Sequence, residues 1–294
     1  MGAFAIRMTL LAPVAAGEGP RPPCLMLDGL VGFGVARERF GAAVSARQPH
    51  RDVFVDLPLP LDQASATVWA ASQGFSAVGV RRTALLTHIN DRHAVVEPVK
   101  VSPRFGPAVV AIPLWVTPEM VFFGSGDGEA VLRLLRRHIT FLGHKRGSGF
   151  GLVAQMRLTP LDQDWSIGHW DGAAYVLHRP WPVAEAAALL AYIVATWGED
   201  AAAWWMAHAD AWPRAYLAVR PPYHDPRAHQ WCFAPSAYGL AETVPWLPAA
   251  FTPAGLVPDA LWDDVAEDLD EDAVPPWDLS ERPAFSRPLL ATTD

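Results

Sequence analysis

The sequence contains few cysteines, few charged residues and no long apolar run. Cys24 and Cys232 are the only cysteines among 294 residues, too few for a disulfide framework or a four-cysteine zinc site. No uninterrupted apolar stretch is long enough to cross a bilayer, so we predict no transmembrane helix and no membrane partner. The start of the chain also lacks a basic region followed by an apolar stretch. We therefore expect a cytoplasmic protein with reduced thiols.

Negative charge is concentrated at one end of the chain. The formal net charge is -8, yet residues 255–294 alone contain eleven acidic and two basic side chains. The remainder is close to neutral, so the composition does not exclude a basic groove and a nucleic-acid partner. We expect residues 255–294 to form an acidic tail that is disordered or lies on a basic surface.

The order of secondary-structure patterns in the first half predicts an α+β fold. Hydrophobic periodicity indicates strands and helices in the following order: strand 3–14, helix 27–40, strand 52–59, extended runs 75–89 and 94–101, strand 108–123, helix 128–142 and strand 151–161. This βαββαβ order is typical of a ferredoxin-like (RRM-like) domain, which we place at residues 1–160. The two extended runs, joined at Asn90-Asp91-Arg92, predict a β-hairpin at about 75–104.

The pattern starts again beyond residue 160. Short strands and two Ala-rich helices, at 183–197 and 201–212, predict a smaller α+β domain over residues 161–254. Four tryptophans fall on or beside these helices, and we expect them to be core residues rather than a stacking surface. They are Trp197, Trp204, Trp205 and Trp212.

A glycine-rich loop between the second helix and the last strand of the first domain is the clearest candidate binding site. Its residues are Gly143, His144, Lys145, Arg146, Gly147, Ser148, Gly149, Phe150 and Gly151. Glycines permit positive φ and close approach of the backbone, while successive N–H groups and adjacent cations suit an anion. A P-loop is excluded because the lysine precedes the second glycine, and a dinucleotide loop because the helix comes first. A helix C-cap followed by a turn is the alternative interpretation.

Catalytic and metal motifs are weak. The spacing of His224, His229 and Cys232 suggests zinc but lacks a fourth ligand. No nucleophile elbow or reactive-cysteine motif occurs. His138 and His144, beside the glycine-rich loop, are the only histidines that we consider as ribonuclease bases. The sequence therefore predicts no catalytic residue, no metal and no cofactor.

The loop residues Gly143, Lys145, Arg146, Gly147, Gly149, Phe150 and Gly151 resemble the glycine-rich motif of the CRISPR RAMP superfamily. Residues 24–30 (CLMLDGL) and 220–223 (RPPY) are similar to the type IV CRISPR subunit of the group that binds the 5′ handle of the guide RNA. The C-terminal half and the acidic tail have no counterpart in this resemblance.

The resemblance implies a non-catalytic subunit that caps the guide RNA. It also implies that the hairpin inserts into the RNA as a thumb. Its candidate contacts, besides the glycine-rich loop, are Arg81, Arg82, Lys100 and Arg104. The implied partners are the guide RNA, the backbone RAMP subunits and the large subunit, with target DNA and a helicase reached through the complex.

Two other functions stay open at this point. A RAMP endoribonuclease would process precursor guide RNA with a histidine base, but in such enzymes the glycine-rich loop usually lies near the C-terminus. A protein-interaction module would leave Lys145 and Arg146 without an anionic partner.

Overall fold

The computed structural model describes residues 2–15, 25–41, 44, 57–76, 79–88, 108–143, 149–221, 223 and 225–236. These residues belong to a compact unit that spans Met1–Thr252, and Pro253–Asp294 forms a second unit outside the described residues. The predicted acidic tail, 255–294, lies outside them as well. Within the described residues, no helix has the length and apolar character to cross a membrane.

An antiparallel sheet is built around the first strand. Strand β1 (Gly2–Leu10) pairs on one side with β5 (Glu119–Gly126) and on the other with β6 (Val153–Pro160). The segment 61–75 continues the sheet through isolated antiparallel bridges to β5, among them Ala71 to Gly124 and Phe75 to Val121. The resulting order, 61–75, β5, β1 and β6, is the antiparallel order of a ferredoxin-like domain. The predicted α+β fold is confirmed.

Two helices pack with this sheet around one apolar core. Helix α1 (Leu27–Phe40) has the predicted bounds, whereas α2 (Gly128–His138) ends four residues earlier than expected. Asp127 caps α2 by accepting a hydrogen bond from the Ala130 N–H at 2.9 Å. The buried core residues that the helices share with the strands include Ile6, Met8, Leu27, Val31, Phe122, Val131, Leu135 and Leu142.

The second strand of the domain is irregular and lies later than predicted. Residues 57–59 are not in a strand, and residues 52–56 lie outside the described residues. The position beside β5 is taken by 61–75, which bridges β5 at three points rather than along a continuous ladder. A backbone bridge from Gln63 to Trp69 folds part of this segment on itself. Pro58 lacks the N–H that a ladder through 52–59 would need at that position, which the apolar pattern alone did not reveal.

A β-hairpin begins within the predicted first arm. Strand β3 (Val80–His88) pairs antiparallel with β4 (Ala108–Val116) and forms this hairpin. The predicted second arm at 94–101 and the turn at Asn90-Asp91-Arg92 lie outside the described residues, so the hairpin at about 75–104 stays a prediction. The pairing is decided by tertiary structure, because β4 also pairs with the short strand β2 (Val14–Ala15) on its other edge.

The second half of the described chain contains two small sheets and two helices. A hairpin joins β7 (Gly168–Trp170) to β8 (Tyr175–Leu177), and a three-stranded sheet has the order β10 (Arg214–Ala218), β11 (His229–Phe233) and β9 (Trp181–Pro182). Helices α3 (Ala186–Trp197) and α4 (Glu199–His208) cover their core, in which Trp205 is buried. Trp197, Trp204 and Trp212 pack against that core, so the interpretation of the tryptophans as core residues is confirmed. The domain boundary near residue 160 stays a prediction.

Candidate nucleic-acid interface

The glycine-rich loop leaves and re-enters the fold through a short antiparallel stem. The Leu142 N–H donates to the Gly151 carbonyl at 2.8 Å, and the Val153 N–H donates to the Thr140 carbonyl at 2.9 Å. The Gly151 N–H donates in turn to the carbonyl of Pro13, at 2.8 Å. The two ends of the loop are therefore fixed beside each other and beside the turn between β1 and β2.

Three described glycines of the loop have the positive φ that the sequence analysis anticipated. Gly143, Gly149 and Gly151 have φ of 75°, 84° and 71°. A Cβ on Gly151 would collide with the Leu142 carbonyl, whereas one on Gly149 would have no heavy atom within 4 Å. Gly151 is thus required by packing of the stem, while Gly149 faces open space that another molecule can occupy.

Phe150 attaches the loop to the hairpin. Its partly buried ring packs against Ala15, Ile112 and Leu114, which belong to β2 and β4. Stacking on a base and packing in the core are the two roles open to such a ring, and this packing favours the second. As a consequence, the loop lies against strand β4 of the hairpin, although the two are far apart in sequence.

Register places Arg82 on the face of the hairpin that packs against the loop. Arg82 lies opposite Leu114 of β4. Ala15 also lies opposite Leu114, so Arg82 shares the face on which Phe150 packs. Arg82 is exposed there. The structure therefore brings Arg82 to the same surface as the glycine-rich loop, and the RNA-binding role of Arg81 stays a prediction.

Several residues predicted to bind RNA lie outside the described residues. They are Lys100, Arg104, His144, Lys145, Arg146, Gly147 and Ser148. Their RNA-binding role stays a prediction. Of the residues that flank 144–148, Gly143 follows the stem at Leu142 and Gly149 precedes Phe150, which packs against β2 and β4.

The basic end of α2 is engaged within the protein. Arg136 donates to the Met156 carbonyl of β6 at 2.8 Å, beside a cleft of about 320 Å³ between the end of α2 and β6. Arg137 forms an ion pair with Glu38 of α1 at 3.1 Å, and Nε2 of His138 lies 3.6 Å from the same carboxylate. These side chains link α2 to α1 and β6.

A buried polar cluster that the sequence analysis missed joins the two segments similar to the type IV subunit. Arg179 and Asp28 are completely buried, with 3.2 Å between Nη2 and Oδ2. The Tyr223 hydroxyl donates to Asp28 Oδ1 at 2.6 Å. Asp28 belongs to segment 24–30 and Tyr223 to segment 220–223, so the two segments contact each other directly, and Arg179 contacts both.

This cluster holds irregular backbone in place. Arg179 donates to the carbonyls of Ala71 and Val219, at 2.8 and 2.7 Å, and also to that of Trp69. Burial raises the pKa of the Asp28 carboxyl, an effect that the nearby guanidinium opposes. Since the cluster is sealed from solvent, we assign it a structural role. The only sequence signal for it was an acid inside the apolar run of α1.

Two buried histidines form a second unpredicted cluster. His169 Nδ1 lies 2.8 Å from His178 Nε2, and His178 Nδ1 lies 2.7 Å from the Trp165 carbonyl. Because a carbonyl can only accept, His178 carries its proton on Nδ1, and His169 donates from Nδ1 to His178 Nε2. Burial lowers the pKa of His169 to about 4 and that of His178 well below its usual value. Both rings are therefore neutral near pH 7.

The two described members of the suspected metal motif do not converge. His229 and Cys232 are three residues apart on β11, which places them on opposite faces. His229 Nδ1 donates to the Asp225 carbonyl at 2.9 Å, and burial raises the pKa of the Cys232 thiol to about 12. His224 lies outside the described residues.

Comparisons with known proteins found no matching family model and no matching curated protein. A chain of the Type III-B Cmr-beta complex bound to cognate target RNA, solved by cryo-EM, is similar with a TM-score of 0.30 and 8% identity. That match covers 54% of this chain and 61% of that one, less than two thirds of its length. A chain of a CRISPR RNA-guided surveillance complex gives a TM-score of 0.28 and 11% identity, over 67% of this chain and 86% of that one. At these values the comparison assigns neither a family nor an activity.

Proposed function

We propose that this chain is a non-catalytic RNA-binding subunit of a type IV CRISPR ribonucleoprotein, in which it caps the 5′ handle of the guide RNA. The observation that carries the proposal is the position of the glycine-rich loop. The loop lies between the second helix and the last strand of a ferredoxin-like domain. Its Phe150 ring packs against residues of β2 and β4. The motif of residues 143–151 and the segments at 24–30 and 220–223 support the same function by resemblance.

The geometry suggests how RNA would be held. Gly149 leaves open space above the loop, where N–H groups can approach phosphate oxygens without an intervening side chain. Lys145 and Arg146 would add positive charge from the loop. Arg82 would add positive charge from the face of the hairpin on which Phe150 packs. Contacts of this kind position the RNA backbone without reading bases.

Copurification tests the proposal directly. We would isolate the protein with its complex, measure the absorbance ratio at 260 and 280 nm, and sequence any bound RNA. Uncut guide RNA with a protected 5′ handle is the expected result. Cleavage of repeat-containing RNA that disappears in His138→Ala or His144→Ala would instead identify an endoribonuclease. Absence of RNA would favour the protein-interaction module.

Charge variants then test the site. Replacing Lys145 and Arg146 together with alanine should weaken guide-RNA binding and reduce the slope of log affinity against log salt by about 0.7 for each phosphate that is no longer neutralised. Arg82→Ala should also weaken guide-RNA binding and should reduce the slope by the amount expected for one phosphate. Arg133→Ala, at an exposed position of α2, is the matched control and should leave the slope unchanged. Equal slopes in all variants would show that the loop binds no phosphate.

A further inference from the structure

The sheet of the second half exposes two large aromatic rings side by side. Tyr216 on β10 and Trp231 on β11 are opposite each other in register, and their ring centroids are 6.1 Å apart. Their residues are 58% and 62% exposed, although the other tryptophans that the structure describes in this half are buried or partly buried. Adjacent exposed apolar side chains form a patch, and exposed apolar patches often mark interaction sites, unlike hydrophobic residues scattered singly over a surface.

Neighbouring residues hold the pair in position. At one end of the same face, Phe233 is buried against Trp205 of α4, with centroids 5.3 Å apart. At the other end, the His229 ring stacks on Tyr216 at 5.9 Å, and its Nδ1 is hydrogen-bonded to the Asp225 carbonyl. The rings therefore stand on a two-stranded scaffold that is attached to the core at one end.

One cation, Arg214, lies on the same face as the rings. Residues 211–236 contain three arginines and one acid, in a chain whose formal net charge is -8. That acid, Asp225, is only 3% exposed and is paired with Arg227 at 2.8 Å. Arg214 is exposed on the same face as the rings, opposite Phe233. Exposed rings beside cations suit a ligand that combines flat bases with phosphates.

We propose that the face of β10 and β11 bearing Tyr216 and Trp231 binds single-stranded nucleic acid. One base stacks on each ring, and the phosphate backbone passes Arg214. The rings are inclined at 68°, so one continuous base stack cannot cover both and the two bases must be splayed. A duplex, whose bases are already stacked on each other, does not meet this requirement. This site and the glycine-rich loop have no residue in common.

The test measures binding of fluorescein-labelled oligouridine and oligodeoxythymidine to the full chain by fluorescence anisotropy. It is performed with and without Lys145→Ala and Arg146→Ala, which separates this site from the loop. Tyr216→Ala and Trp231→Ala should each weaken binding about fivefold or more, with an unchanged salt slope. Trp231→Phe should recover most of the affinity, and Arg214→Ala should reduce the slope by about 0.7.

Phe40→Ala is the matched control, because Phe40 is an exposed ring on α1 beside Arg39. It should bind both oligonucleotides as the unmodified protein does. Tighter binding of oligouridine would mean that the site selects RNA, and equal binding that it accepts either strand. Unmodified affinity in the Tyr216→Ala, Trp231→Ala double variant would overturn the proposal, as would an equal loss in Phe40→Ala. Loss of a protein partner with nucleic-acid binding intact would also overturn it.

Discussion

Gly149 and Gly151 provide a test that separates the function of the loop from its folding. Both have positive φ, so a Cβ at either position costs about 1–2 kcal/mol of backbone strain. Alanine also lowers the conformational entropy of the unfolded chain, which stabilises the folded protein by about 0.4–1 kcal/mol. Gly149→Ala should therefore lower the free energy of unfolding by only about 1 kcal/mol, because the added methyl meets open space.

Gly151→Ala should cost considerably more. Its Cβ would collide with the Leu142 carbonyl, and the backbone would have to move. That movement disrupts the hydrogen bonds from Leu142 to Gly151 and from Gly151 to Pro13. Two such bonds add about 1–3 kcal/mol, for a total of about 3 kcal/mol. At about 2–4 °C per kcal/mol, the Tm should fall by about 2–4 °C for Gly149→Ala and about 6–12 °C for Gly151→Ala.

The effect of Gly149→Ala on RNA affinity should not follow its effect on Tm. If the open space at Gly149 is where the RNA backbone approaches, Gly149→Ala should reduce guide-RNA affinity about tenfold despite its small effect on Tm. Differential scanning calorimetry and filter binding at several salt concentrations measure the two effects. Gly172→Ala is the control, because Gly172 also has positive φ, 93°, with nothing near its Cβ, in the turn between β7 and β8.

Two results would refute this reasoning. Unmodified RNA affinity in Gly149→Ala, or an equal loss in Gly172→Ala, would mean that the loop is only a turn. A Gly151→Ala protein as stable as Gly149→Ala would show that the stem does not constrain the loop.

Two further predictions concern the buried clusters. Arg179→Met should lower the free energy of unfolding, measured in urea, by about 4 kcal/mol, because it leaves Asp28 and several carbonyls without their donor. Asp28→Asn should lower it by less. Equal stability of Arg179→Met and the unmodified protein would contradict the structural role of Arg179. Because burial lowers the pKa of His169 from 6.5 to about 4, its stabilising contribution is complete above pH 6.5 and is lost as the pH falls towards 4. The loss amounts to about 3 kcal/mol, and His169→Phe should flatten that part of the stability-pH curve; a curve that keeps its slope in His169→Phe would contradict this.

Local patterns in the sequence predicted most of the elements. The bounds of α1 agreed with the prediction, and α2 begins at the predicted residue 128. These features depend on periodicity and capping within a few residues, which a single sequence contains. The glycines with positive φ in the loop were also foreseeable, since glycine adopts that conformation at the lowest cost.

What the sequence by itself determined was therefore the order of the elements, the α+β class and the position of the glycine-rich loop. Only the tertiary structure decided which distant segments meet. It paired β3 with 108–116 and joined Asp28 to Arg179. It also left Trp231 exposed while burying Trp205, although both are tryptophans in the same half of the chain. Pairing and burial depend on contacts between residues far apart in sequence, and no local pattern specifies them.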